Sequence, residues 1–308
     1  MADQPGISSV KNIVLVYSPP PYTSTLILIF SQILSGKGGV GKSSTTLQLA
    51  LTLALSSPSI KIGILDIDLT GPNIPHLLSL APGSSIIQTP HGWAPIPAIP
   101  ATSTHGSVEC MSLSFLLPSA DRDKSIVWRG PKKTAMVRQF LSEVAWTPGL
   151  DYLLIDTPPG TSDEHISLVE ALYKNPDTHP KGAVMVTTPQ AVSTADVRKE
   201  MNFCALAGVR VLGVIENMSG FMCPCCGVVT EVFSKGGGER LAKETRVEFW
   251  GGVPLDGGFV GLVEQREGGG VGLLERYSGC GLKGVFEGIV GKLVESVKGV
   301  KVKEERVE

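Results

Sequence analysis

Eight residues, Gly36–Ser43, constrain this chain more than any other stretch: they read G-K-G-G-V-G-K-S, the spacing G-x-x-x-x-G-K-[ST]. Glycines at 36, 38, 39 and 41 let the backbone fold tightly and turn its N–H groups toward phosphate oxygens. In such a loop Gly36, Lys37, Gly38, Gly39, Val40 and Gly41 surround the phosphates. Lys42 reaches the β- and γ-phosphates, and the Ser43 hydroxyl, followed by Ser44, faces Mg2+. A helix beginning near Lys42 points its positive end at the same charge. The apolar run Leu26–Leu34 precedes the motif and the helix-like run Thr45–Leu55 follows it. The complete pattern in a strand–loop–helix context predicts a nucleoside triphosphate site rather than a plain Gly-rich turn.

Such a site needs carboxylates at the same sheet edge. The apolar strand Ile60–Leu65 runs into DIDLTGPNIP, placing Asp66 and Asp68 at or just past its carboxyl end, where open α/β sheets bind ligands. One carboxylate there can orient or deprotonate water and a second can hold Mg2+ through water. The stretch DYLLIDTPPG, Asp151–Gly160, puts Asp156 at the end of a buried strand, the Walker B position beside Ser43. TSDEH, Thr161–His165, then opens a helix with acidic residues in its first turn. Gly182–Thr187 and Val209–Ile215 read as further buried strands, and Ser-Thr-x-Asp reads as the cap of a helix Ala195–Leu206. Val209–Ile215 ends in ENM, where the Asn217 amide offers a donor and an acceptor to an adenine edge, unless it is a plain turn residue. A hairpin is expected around Trp93–Ile99, and Val108–Phe115 reads as a strand. Alternating strands and helices predict an α/β fold, a three-layer P-loop NTPase domain with a mostly parallel central sheet. Gly251–Gly291 is too Gly-rich to read as good helix, Leu282–Val297 is the expected last helix, and 299–308 reads as a charged tail.

The 42% apolar content supports a buried core, and the net charge of −2 without a basic stripe argues against nucleic acid as the main partner. No run is long enough to span a bilayer and no signal-peptide pattern opens the chain, which predicts a soluble cytoplasmic protein. Its six cysteines then read as thiols or metal ligands. Met218–Gly227, MSGFMCPCCG, holds Cys223 and Cys226 as C-x-x-C with Cys225 between them. One such pair is half of a four-thiolate site, and the simplest completion is the same pair on a second chain. Zinc binding, thiol redox chemistry and an inert turn are the other readings.

The leading Lys37, DIDLTGPNIP, WRGPKK, DTPPGTSDEH, ENMSGF-M-C-P-x-C and FSKGGGE together resemble the Mrp/nucleotide-binding-protein family, over roughly Leu34–Glu239. These are MinD-like scaffold ATPases of iron–sulfur cluster assembly. The chain looks most like the shorter eukaryotic cytosolic paralogue, since no cysteine precedes Cys110. The resemblance implies slow, Mg2+-dependent ATP hydrolysis, with Lys37 and Lys42 catalytic and Lys37 acting on the other subunit's nucleotide. Asp68 would handle the attacking water, and Asp66 would lie near the metal. It also implies a [4Fe–4S] cluster bridged between two chains by Cys223 and Cys226 and passed to apo-proteins through targeting factors. Implied partners are a second copy or a larger paralogue with an N-terminal Cys motif, in a mixed dimer or tetramer, with no nucleic acid or membrane. A cluster-free MinD/ParA-like dimerisation switch is the alternative. Against the family pattern, residues 17–33 read as an insertion between KNIVLV and LSGKGG, a retained intron or gene-model error. Alternatively Leu26–Ile33 supplies the first strand. The expected organisation is an irregular segment 1–33, one domain 34–298 with its cluster loop at 218–227, and a tail.

Overall fold

The computed structural model describes residues 10–17, 39–68, 71–81, 84–90, 92–116, 130–158, 163–173, 180–232, 234–265 and 267–298. Strands in chain order are β1 (Ile13–Tyr17), β2 (Lys61–Asp66), β3 (Ile87–Thr89), β4 (Gly92–Ala94), β5 (Ile96–Ile99), β6 (Ser107–Ser112), β7 (Tyr152–Asp156), β8 (Gly182–Thr187), β9 (Val211–Met222), β10 (Val229–Thr230) and β11 (Phe249–Leu255). Helices are α1 (Lys42–Ser56), α2 (Ile74–Leu77), α3 (Gly130–Glu143), α4 (Asp163–Tyr173), α5 (Ala191–Leu206), α6 (Gly237–Thr245), α7 (Gly257–Glu264), α8 (Gly269–Ser278) and α9 (Lys283–Lys298).

The main sheet runs β10-β9-β8-β1-β7-β2-β6-β5, with β11 also paired to β9. Its inner pairings are parallel, and only β5 and β10 are antiparallel. The apolar runs bury completely in β7 and β8, as expected of parallel strands covered on both faces. Helix α1 contacts both α8 and α9, α7 contacts α8, α3 contacts α4, and α5 contacts α6. The α/β sheet-and-helix architecture is the one expected.

The strand left open by the sequence is now placed. Ile13–Tyr17, from KNIVLV, lies between β7 and β8 at the middle of the sheet. It falls within the N-terminal segment set apart above. Residues 18–38, and with them Leu26–Ile33, Gly36, Lys37 and Gly38, lie outside the described residues, as do Gly160 and 299–308.

Three local expectations change. The hairpin near Trp93 is β3–β4, and Ile96–Ile99 instead pairs with β6. Helix α5 starts at Ala191 after Gln190, so Ser193 lies inside it, where its hydroxyl accepts the Thr188 N–H at 3.1 Å. The third concerns the Gly-rich C-terminal part, which forms α7 and α8 ahead of α9, the last helix expected at Leu282–Val297. Low propensity is overridden by burial of Phe259, Leu262, Leu273, Leu274, Tyr277 and Phe286. Some of these glycines are required by packing. A Cβ on Gly270 would lie 2.2 Å from the Ala98 carbonyl oxygen, so α8 can approach β5 only without one. Gly261 in α7 has nothing within 4 Å of that position. Gly261→Ala is therefore expected to stabilise by about 0.5–1 kcal/mol through helix propensity. Gly270→Ala should reverse the sign, costing about 1–3 kcal/mol through overpacking. Urea midpoints of the two variants decide; equal shifts would mean that the α8–β5 contact is absent.

Candidate functional site

The site assembles at the carboxyl edge of β1, β2 and β7. Adjacent register pairs Val16 with Asp156 and Asp66 with Asp156, so the two carboxylates emerge side by side. Gly41 precedes α1 at φ 84°, a left-handed conformation that glycine adopts without strain. This turn starts α1 with Lys42 and Ser43 directed at the strand ends. The Lys42 Nζ donates to Asp156 Oδ1 at 2.7 Å, and the Ser43 hydroxyl donates to Asp156 Oδ2 at 2.6 Å. The Thr46 hydroxyl reaches Asp156 Oδ1 at 3.3 Å. Asp156 is fully buried and Lys42 is 6% exposed. Burial opposes the Lys42 charge, but the carboxylates of Asp156, Asp68 and Asp66 outweigh it and raise its pKa.

Asp66 is also fully buried. It accepts the Ser112 hydroxyl at 3.0 Å and the Asp68 N–H at 3.2 Å, while Asp68 Oδ1 accepts the Gly71 N–H at 3.3 Å. Burial and then the neighbouring charges of Asp156 and Asp68 push the Asp66 carboxyl well above the usual carboxylate range. The folded chain thus favours neutral Asp66. Its contribution to stability is complete below the ordinary carboxylate range and is lost as pH rises through the elevated folded pKa. Thermal melts of the nucleotide-free protein should show a falling midpoint over that interval, and Asp66→Asn should flatten the fall. An unchanged slope in the variant would assign the pH dependence to another group.

Asn217 is not in a turn. Strand β9 continues past it to Met222, bordered by β11 and then by β10, with a kink where Met218 adopts φ 58°. Pairing with β11, distant in sequence, and with the hairpin strand β10 outweighs the local turn signals of ENMSG. The Asn217 amide donates to the Val40 carbonyl at 2.7 Å and so ties β9 to the loop before α1. Next to it, buried Glu216 accepts the Gly236 N–H at 3.2 Å and the Gly238 N–H at 2.6 Å, stapling the start of α6 to the same strand. Glu216, Ser112 and Thr46 were missed in the sequence. Glu216 is adjacent to Asn217 and could have been considered, whereas Ser112 is brought in only by the β2–β6 register.

Beyond Met222 the chain makes a hairpin into β10. Its turn is closed by the Cys223 N–H to the Val228 carbonyl at 2.9 Å and the Gly227 N–H to the Cys223 carbonyl at 2.8 Å. Cys225 and Cys226 are exposed and Cys223 is partly so. The Cys225 and Cys226 N–H groups directed at Cys223 hold its thiol below the usual range. Cys110 and Cys204 are buried; burial, reinforced by Glu200, pushes Cys204 up to about 12. Neither buried thiol presents a sulfur to solvent, and the partly exposed Cys280 stands alone with its thiol directed at Asp256 Oδ2, so the hairpin with its three thiols holds the candidate ligands. Among the described residues no three His, Cys, Asp or Glu groups are arranged to hold a metal ion.

A P-loop lysine and serine converging on a strand-end aspartate, at the carboxyl edge of a parallel sheet, define a P-loop NTPase. Residues 27–279 match the ParA family of NUBPL iron-transfer P-loop NTPases, and the chain belongs to that family. The cytosolic Fe-S cluster assembly factor cfd1 of Aspergillus oryzae is 55% identical over 272 residues, covering 84% of this chain and 79% of its own length. The cytosolic Fe-S cluster assembly factor CFD1 of Saccharomyces cerevisiae is 53% identical over 262 residues, with 85% of each chain covered. Among solved structures, the ADP complex of the Archaeoglobus fulgidus nucleotide-binding protein superposes with TM-score 0.64 at 32% identity, over 86% of this chain and 89% of that one. The Mg-ADP complex of septum site-determining protein MinD from Pyrococcus horikoshii, at 17% identity, TM-score 0.55 and coverage of 95% and 99%, shares the fold.

Proposed function

We propose that the chain is a cytosolic ATP-dependent scaffold that builds an iron–sulfur cluster between two protomers and transfers it to apo-proteins. The observation carrying this reading is that one strand, β9, bears Asn217 against the P-loop and ends at the exposed Cys223 hairpin. The named relatives work in the same assembly process by their descriptions.

In this reading ATP lies over Gly39–Ser44, and Lys42 leaves Asp156 for the β- and γ-phosphates. Val40 and Gly41 present backbone N–H groups. The donor set fits Mg2+: a hydroxyl and a carboxylate already meet at 2.6 Å, so Ser43 directly and Asp156 through water would hold it. Bound there, the ion would neutralise charge developing between the β- and γ-phosphoryl groups. Asp68 orients the attacking water, and Asp66 supports that loop through the Asp68 N–H. The Asn217 amide turns from Val40 to the adenine edge when nucleotide binds. Lys37, reaching the second protomer's nucleotide, makes turnover depend on pairing. Cys223 and Cys226 of two protomers provide four thiolates for a [4Fe–4S] cargo. The pair is completed by a second copy or by a larger paralogue, and recipients are reached through targeting factors.

Anaerobic reconstitution with ferrous iron and sulfide, followed by visible absorption and size measurement, tests this. A coloured dimer is expected. A colourless protein that still hydrolyses ATP would favour a cluster-free dimerisation switch instead.

A further inference from the structure

We propose that Cys225 is an alternative second ligand, exchanging with Cys226 while Cys223 stays fixed; the idea rests on the scaffold reading above. The three thiols of the hairpin are not equivalent. Cys223 is at the hairpin base, with its N–H and its carbonyl both committed to closing hydrogen bonds, at 2.9 and 2.8 Å. Its backbone position is set by the β9–β10 ladder, in which Met222 pairs with Val229. Cys225 and Cys226 are in the turn itself, both exposed, followed by Gly227 at φ 71°. Both follow Cys223 by two and three positions within the turn that the Gly227 N–H closes onto the Cys223 carbonyl at 2.8 Å. Cys223 therefore has two neighbouring thiols that can serve as its ligand partner.

In the scaffold reading each chain contributes two thiolates to a four-thiolate cluster, which leaves one ligand position beside Cys223 for either neighbour. This favours alternation over a tridentate site. In the exchange, the Cys225 sulfur bonds to the iron that Cys226 held, the iron–Cys226 bond breaks, and the Cys225 proton passes to the Cys226 sulfur. No electron is transferred and iron keeps its ligand count. A neighbouring thiol is present at high effective concentration, so this step is far faster than attack by a thiol from solution. The consequence is a cargo that can loosen one bond at a time without leaving the hairpin, as transfer to a recipient thiol requires.

The test compares the full-length chain with Cys223→Ser, Cys225→Ser, Cys226→Ser and Cys225→Ser/Cys226→Ser after anaerobic reconstitution, reading iron per chain and visible absorption. Cys226→Ser should keep cluster with no more than about a twofold loss of iron, whereas the double variant and Cys223→Ser should fall to background. Cys225→Ser should load fully but release its cluster more slowly to a thiol chelator. A Cys226→Ser chain as empty as the double variant overturns the inference. A wild-type chain that takes no cluster would overturn the scaffold reading instead. Cobalt(II) titration then still decides on Cys225. Thiolate-to-cobalt absorption should survive in Cys226→Ser and vanish in the double variant, and equal loss in both would sink the exchange.

Discussion

Replacing Lys42 with methionine is expected to lower ATP turnover by about 10²–10³-fold, the usual loss when a charge-stabilising donor to the transferring group is removed. The same variant should lose stability, for a reason visible without nucleotide. Asp156 is fully buried, and Lys42 is its ion-pair partner at 2.7 Å. Methionine leaves that carboxylate with only the Ser43 and Thr46 hydroxyls. An uncompensated buried charge costs about 3–5 kcal/mol. The double variant Lys42→Met/Asp156→Asn removes both charges and should recover much of that stability while remaining inactive. Steady-state hydrolysis and urea midpoints on the three chains separate the two effects. Wild-type turnover in Lys42→Met would place the phosphates elsewhere.

The second large effect is expected from Cys223→Ser, with the opposite profile. Iron and sulfide uptake should drop to background because the one anchored thiol of the hairpin is gone. Stability should move by no more than about 0.5 kcal/mol, since Cys223 is partly exposed and its closing hydrogen bonds come from the backbone. Nucleotide affinity should remain within about twofold, because the substitution leaves Lys42, Ser43 and Asp156 in place. Iron analysis, calorimetric nucleotide binding and a urea midpoint on one preparation check all three. Full iron content in this variant would move the cluster to a different part of the chain.

Much of the candidate site was legible because its signals are local. The turn into α1 requires Gly41, and its phosphate-facing groups follow at fixed spacing. Asp66 and Asp156 could be read as strand-end residues because apolar runs, Ile62–Leu65 and Tyr152–Ile155, stop at them. Cys223 and Cys226 lie three residues apart. Such features depend on backbone conformation over a few residues, which composition and spacing encode directly.

Other features rest on contacts between residues far apart in sequence. A local reading ends the strand near Asn217, yet β9 continues because the distant strand β11 pairs with it as far as Phe221. Gly-rich segments read as poor helix, yet α7 and α8 form because their apolar side chains are buried against the sheet layer and neighbouring helices. The choice of Ile13–Tyr17 as a central strand required β7 and β8 to flank it.

The sequence by itself determined the nucleotide loop, the acidic strand ends and the thiol pair, since each is a short-range pattern of residue types. Only the tertiary structure decided that Asp156 gathers Lys42, Ser43 and Thr46, and that Asn217 holds the Val40 carbonyl on the strand that leads to Cys223. Those bonds join residues between 110 and 177 positions apart. Their partners are chosen by sheet order and by the burial of polar groups that must be satisfied, and no local pattern carries that information.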